Sequence, residues 1–144
     1  WFSTSKGLVS FDRQQSIHKF YPVTNKKWDN LSSGFNGYII EDPNNKDVIW
    51  CTSFYGHLTK FDKQRGYVKE YYFDPDNPNN KRYFNVSFLF PGKDEFIWVG
   101  TWGSGGVKFN TRNGDMEWLK NVPGDTASLS DNNIMQVFYD TRNR

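Results

Sequence analysis

The residues of this chain best suited to chemistry are aromatic side chains in short segments that follow apolar runs. Trp102 precedes Gly103, and Phe54 adjoins Tyr55. An exposed aromatic ring beside Asn or Asp can stack on a sugar ring while the polar groups bind its hydroxyls. Binding residues concentrate on loops that a rigid scaffold holds. We therefore interpret five residues as candidate ligand contacts: Lys6, Trp28, Phe54, Tyr55 and Trp102.

The other reactive residue types form no recognisable motif. His18 and His57 share no motif, and we expect both to be ordinary surface histidines. Cys51 is expected to be a small buried residue in a strand. The Asp-Pro-Asp segment at 74–76 fails the calcium-loop pattern, because Pro78 occupies its fifth position. The sequence therefore predicts no catalytic residue, metal site or cofactor.

A motif led by tryptophan recurs three times along the chain. Trp1, Trp50 and Trp98 are spaced about 50 residues apart, an interval typical of propellers and solenoids. Each is followed by a Phe and then by Asp or Asn. We therefore divide the chain into three repeats, residues 1–49, 50–97 and 98–144.

Packing between neighbouring sheets explains the aromatic residues at repeated positions more simply than ligand contact does. Val107 and Phe109 lie two residues apart and so share one face of a strand. The earlier repeats keep the same spacing. We predict that six residues are structural anchors: Trp1, Trp50, Trp98, Phe11, Phe61 and Phe109.

The third repeat shows the strand pattern most clearly. Strands are predicted over Phe96–Thr101, Gly106–Asn110, Asp115–Lys120 and Asn133–Asp140. The Asn-Gly pair at 113–114 is a strong hairpin signal, and no stretch has the apolar period of a helix. Four antiparallel strands of this kind are typical of a propeller blade. The predicted fold class is all-β, with three repeats of four antiparallel strands.

Three repeats are fewer than the rings of about four to eight blades that propellers usually form. We interpret the chain as a sector excised from a larger propeller of about seven blades. If Asn133–Asp140 is an innermost strand, the chain begins at the second strand of one blade and ends with the first strand of another. It then holds two complete blades and two partial ones. A head-to-tail dimer with six blades is the alternative.

The candidate ligand contacts are expected at one end of the blades, since alternate turns of an antiparallel sheet emerge at opposite ends. That end gathers Lys6, the 54–55 pair and Trp102 with the long connectors around Trp28 and 125–132. The alternative is that these residues cover the ends of the blades.

Composition excludes several classes of function. The chain has 144 residues, of which 19% are aromatic, and a formal net charge of +2. Its 18 basic residues are spread out, so the patch expected of a nucleic-acid binder is missing. The sequence contains no apolar run of about 18 residues, so no membrane insertion is predicted.

The third repeat resembles the regulator propeller repeats of bacterial hybrid two-component sensors. The resemblance rests on Ile97–Asn110, which includes Ile-Trp-Val-Gly-Thr and Gly-Gly-Val, and on Ser-Leu-Ser-Asp-Asn-Asn at 128–133. It weakens towards the N-terminus, where Gly7-Leu8 and Phe11-Asp12 remain. The resemblance implies a periplasmic, non-catalytic sensor region that binds a polysaccharide-derived oligosaccharide. It also implies further blades, a β-sandwich and a histidine kinase as partners outside this segment.

Two other functions stay open at this point. One is a propeller enzyme, either similar to streptogramin lyases or cleaving glycans through some pair of the 16 acidic residues. The other is a scaffold on which the propeller edge docks a partner or forms a homodimer.

Overall fold

The computed structural model describes residues 1–22, 37–52, 57–73 and 86–140. These residues form eleven strands and no helix, which confirms the all-β prediction for this part of the chain. The strands are β1 (Phe2–Thr4), β2 (Gly7–Asp12), β3 (Ile17–Pro22), β4 (Ile39–Glu41), β5 (Val48–Thr52), β6 (His57–Asp62), β7 (Gly66–Tyr72), β8 (Val86–Pro91), β9 (Phe96–Thr101), β10 (Gly106–Asn110) and β11 (Met116–Leu119).

The described strands form three antiparallel sheets, each ordered as in the sequence. The first sheet is β1-β2-β3, the second is β4-β5-β6-β7 and the third is β8-β9-β10-β11. Short hairpins connect neighbours, because antiparallel strands need only a tight turn between them. Each sheet is open, with an edge strand at either side among the described residues.

The Asp or Asn that follows each repeated Phe closes a hairpin. Asp12 Oδ1 accepts hydrogen bonds from the backbone N–H groups of Gln14 and Gln15, at 2.8 and 3.1 Å. Asp62 and Asn110 make the equivalent bonds in the second and third sheets. A side-chain oxygen that binds the backbone two and three residues further on stabilises such a turn. The Asp or Asn after each repeated Phe thus lies at the end of one strand and stabilises the turn that leads to the next.

Neighbouring sheets pack face to face through two apolar cores. Leu8 of the first sheet shares a core with Ile49, Cys51 and Phe61 of the second. The larger core joins the second and third sheets. Its fully buried members include Trp50, Leu58, Ile97, Val99, Val107 and Phe109. Strand alternation places these side chains on the inner faces, where apolar burial stabilises the stack.

The predicted strand Asn133–Asp140 is a correction, because the structure assigns no strand to residues 133–140. The fourth strand of the third sheet is instead β8, which pairs with β9. A tight turn joins them, in which the N–H of Gly92 donates to the carbonyl of Phe96 at 2.9 Å. Pairing across a short turn costs little loop entropy. The predictions for Phe96–Thr101 and Gly106–Asn110 are confirmed.

No helix in the described ranges has the length and apolar character needed to span a membrane.

Candidate functional site

The loop between β9 and β10 presents Trp102, whose side chain is 50% exposed. Thr101 stabilises this loop through two side-chain hydrogen bonds. Its Oγ1 donates to the carbonyl of Gly105 at 2.7 Å and accepts from the N–H of Ser104 at 3.1 Å. Gly105 has a φ of 89°, and a Cβ there would lie 2.2 Å from the carbonyl oxygen of Leu119. Only glycine fits such a position, so the loop is built to one conformation.

The connector that follows β11 lies against this loop. The N–H of Gly105 donates to the carbonyl of Asn132 at 2.8 Å, and the N–H of Ile134 donates to the carbonyl of Thr101 at 3.0 Å. Asn133 Oδ1 lies close to Gly103, 3.9 Å from the position a Cβ would take there. Both backbone and side-chain nitrogens of Asn133 donate to Asp131 Oδ1, at 2.6 and 2.9 Å. We call Trp102, Asp131 and Asn133 the Trp102 site.

The connector itself is held by its own polar side chains. Asn121 donates from its backbone N–H to Asn132 Oδ1 at 2.8 Å and from Nδ2 to the carbonyl of Leu129. Ser128 Oγ accepts from the N–H of Val122 at 2.9 Å. These contacts surround an open depression of about 320 Å³, lined by Asn121, Val122, Gly124, Asp125, Thr126, Ser128, Leu129 and Ser130. The Ser-Leu-Ser-Asp-Asn-Asn segment is therefore an ordered platform beside the Trp102 loop.

The structure describes two of the five predicted ligand contacts, and these two belong to different sheets. Lys6 is exposed in the β1–β2 turn of the first sheet, where its N–H donates to Thr4 Oγ1 at 3.2 Å. Trp102 belongs to the third sheet. Trp28, Phe54 and Tyr55 lie outside the described residues. Asn133 approaches the Trp102 loop at Gly103 and is bonded to Asp131, a residue that the prediction covered only as part of the connector 125–132.

The predicted anchors differ in burial. Trp50, Phe61 and Phe109 are fully buried, whereas Trp1 and Phe11 are both 38% exposed. Trp98 is half-buried, and its Nε1 donates to Tyr139 Oη at 2.6 Å. The tryptophan at the start of each repeat therefore meets a different environment in each sheet.

His57 is a correction, since it is buried instead of lying on the surface. Its Nε2 lies 3.4 Å from Glu70 Oε1, and its ring centroid lies 5.3 Å from that of Tyr72. Tyr72 Oη donates to Glu70 Oε2 at 2.6 Å. Burial and this hydrogen bond raise the pKa of Tyr72. Strand alternation places His57 on the same face as Thr59 and Phe61, a signal that sequence reasoning missed.

The two other reactive residues match their predictions. His18 is exposed and stacks on Phe11, with ring centroids 4.6 Å apart. Cys51 is a buried free thiol, and burial followed by the charge of Glu70 raises its pKa. A thiol held in its neutral form is a poor nucleophile. Within the described ranges, no three His, Cys, Asp or Glu side chains cluster closely enough to hold a metal ion.

Comparison with curated proteins relates the chain to a bacterial signalling protein. It is 29% identical over all 144 residues to Histidine kinase P4 of Formosa agariphila. The chain spans about a tenth of the length of that relative, since the match covers 10% of it. No family model matches the chain. The chain is thus similar to one short part of a histidine kinase.

Proposed function

We propose that this chain is a non-catalytic ligand-recognition segment of a sensor histidine kinase. The observation that carries the proposal is the similarity to part of a named histidine kinase along the whole chain. The described residues form stacked antiparallel sheets. Such a scaffold is suited to present loops that bind a ligand.

The arrangement of the sheets supports a propeller sector as the scaffold. Each interface between sheets brings together a tryptophan from one sheet and a phenylalanine from the next. Trp1 meets Phe61 with ring centroids 5.7 Å apart, and Trp50 meets Phe109 at 5.2 Å, both edge to face. A contact of this kind, repeated between successive antiparallel sheets, is expected where blades stack radially. We propose a periplasmic position for this sector, with further blades, a β-sandwich and the kinase in the parent protein.

The chemistry of the Trp102 site favours an oligosaccharide as the ligand. The half-exposed indole offers a flat apolar face, and Asp131 and Asn133 offer a carboxylate and an amide on the connector that lies against its loop. Sugar rings combine an apolar face with hydroxyls that donate and accept hydrogen bonds. The backbone hydrogen bonds of Thr101 and Gly105 hold the loop that carries the indole before binding, which lowers the entropy cost of recognition.

Calorimetric titration with neutral, uronate-containing and sulfated oligosaccharides tests this proposal. We expect one class to bind and Trp102→Ala to weaken its binding by about fivefold or more, because truncating a contributing aromatic residue costs about 1 kcal/mol or more. Ile17→Ser is a matched control, because Ile17 is 55% exposed and lies in the first sheet. Equal affinities for wild type and Trp102→Ala would refute the site. Failure of every class to bind would refute the ligand chemistry.

The kinase link has a separate test in the gene that encodes the parent protein. We expect coding sequence for a membrane-spanning segment and a histidine kinase domain in the same reading frame. A reading frame without kinase sequence would contradict the sensor proposal and leave the Trp102 site to be judged by calorimetry alone.

A further inference from the structure

A second exposed aromatic ring belongs to the second sheet. Tyr38 directly precedes β4, and its side chain is 48% exposed, close to the 50% of Trp102. The second sheet has a neighbour on either face, since it shares one core with the first sheet and another with the third. Tyr38 is therefore accessible although its sheet is covered on both faces.

Hydrogen bonds of the backbone hold Tyr38 in place. Its N–H donates to Thr52 Oγ1 at 3.0 Å, and its carbonyl accepts from the N–H of Thr52 at 3.1 Å. The preceding carbonyl, that of Gly37, accepts from Ser3 Oγ of the first sheet at 3.1 Å. A Cβ on Gly37 would collide with Thr52 Oγ1, so only glycine allows this close approach. Two sheets thus position the backbone of Tyr38 before any ligand binds.

Tyr38 and Trp102 lie at the same end of neighbouring sheets. Tyr38 is bonded to the last residue of β5, and Trp102 follows the last residue of β9. At the other end of these two strands, Asn44 Nδ2 of the β4–β5 turn donates to the carbonyl of Asp94 in the β8–β9 turn. Because these turns meet, the opposite ends of β5 and β9 also lie on one side of the stack. The two exposed rings therefore belong to one surface of the molecule.

We propose that Tyr38 is a second aromatic contact for the ligand of the Trp102 site, and that this ligand is an oligosaccharide long enough to reach both rings. The inference rests on the proposed function and adds the size of the ligand to it. Stacked sheets lie about 10 Å apart, a gap that a single sugar ring does not bridge. One sugar unit stacks on Trp102 and a later unit stacks on Tyr38, whose hydroxyl offers a hydrogen bond to the sugar. The two contacts reinforce each other, because the second forms within a ligand that is already bound.

Calorimetric titration with length series of neutral, uronate-containing and sulfated oligosaccharides, each from the monosaccharide upwards, tests the inference. For the class that binds, we expect the affinity of wild type to rise with length until the ligand covers both rings. Tyr38→Ala should weaken binding of the longest ligand by about fivefold or more and remove most of this rise. Tyr38→Phe should keep the rise, because the ring that stacks on the sugar remains.

Phe20→Ala is the matched control. Phe20 is an aromatic residue of β3 with a similar exposure of 51%, and its truncation should leave the length dependence unchanged. Circular dichroism checks that each variant keeps the wild-type fold.

The outcomes separate this inference from the proposed function. A wild type whose affinity is independent of length, or a Tyr38→Ala variant that keeps the full rise, would overturn the inference. If Trp102→Ala still weakened binding in either case, the proposed function would stand. Absence of binding by every series would refute the proposed function and this inference with it.

Discussion

At the scale of single residues, buried polar groups of this chain organise turns. Asp42 is 7% exposed, and its Oδ2 accepts a hydrogen bond from Trp50 Nε1 at 2.7 Å. Its Oδ1 accepts from the N–H groups of Asn44 and Asn45 at 2.9 and 3.0 Å. A buried carboxylate is tolerated when its oxygens are bonded in this way. One side chain therefore joins the anchoring tryptophan to the β4–β5 turn.

Asp62 gives a pH-dependent prediction at the same scale. Hydrogen bonds from the backbone N–H groups of Arg65 and Gln64 hold the pKa of Asp62 below its usual value. The resulting stabilisation is present above the unfolded-state pKa of about 3.9 and is lost as pH falls through the lower folded-state pKa. Asp62→Asn keeps the turn, as Asn110 does, but cannot titrate. Urea denaturation measures the free energy of unfolding of both proteins as a function of pH. The advantage of wild type over Asp62→Asn should shrink as pH falls through this acidic range. A difference that stays constant with pH would contradict the prediction.

At the scale of elements, the last hairpin of the second sheet and the last hairpin of the third sheet each contain a glycine in the left-handed region. Gly66 and Gly114 have φ values of 87° and 86°, which side-chain-bearing residues rarely adopt. Nothing lies within 4 Å of a Cβ built on Gly66, whereas one on Gly114 would lie 2.6 Å from Tyr71 Cε1. The Tyr71 ring packs against Trp50 and Phe109, so displacing it would disturb both contacts. The turn of the third sheet is therefore also part of an interface between sheets.

Alanine at these two glycines separates backbone strain from packing. We expect Gly66→Ala to lower the free energy of unfolding by about 1 kcal/mol through its left-handed backbone. Gly114→Ala should cost about 1–3 kcal/mol more, since it also overpacks the Tyr71 contact. Urea denaturation monitored by tryptophan fluorescence measures both. An equal decrease in the free energy of unfolding in the two variants would show that the Tyr71 ring shifts without an energetic penalty.

At the scale of the whole molecule, stability should be graded along the stack of sheets. The second sheet is covered on both faces, by the first sheet through one core and by the third through the other. The first sheet is covered on one face, and its outer phenylalanines are exposed. In stacked repeats, local stability depends on contacts with neighbours.

Hydrogen exchange tests this gradient. Amides of β5 and β6 should exchange most slowly, because opening them disrupts both cores. Amides of β2 and β3 should exchange sooner, with the free energy of local opening lower by about 1 kcal/mol or more. Mass spectrometry of peptic fragments resolves the two regions. Uniform exchange across all three sheets would mean that they unfold as one unit.

The sequence by itself determined the features that depend on neighbouring residues. The strands predicted over Phe96–Thr101 and Gly106–Asn110 match β9 and β10 to the residue. The Asp after Phe61 bonds only to the backbone two and three residues further on, so the turn that it stabilises is also a local feature. The aromatic loop residue Trp102 was also evident, and the structure leaves it half exposed.

Only the tertiary structure decided which partner each segment meets. Residues 133–140 have the composition of a strand, yet they pack beside β8 without a described strand to pair with. His57 is buried next to Glu70 because β7 places that carboxylate nearby, and no local pattern encodes the pairing. Trp1 and Trp50 occupy equivalent repeat positions, but Trp1 is 38% exposed whereas Trp50 is fully buried. Strand pairing and burial are non-local, so the same local pattern has different outcomes along the stack.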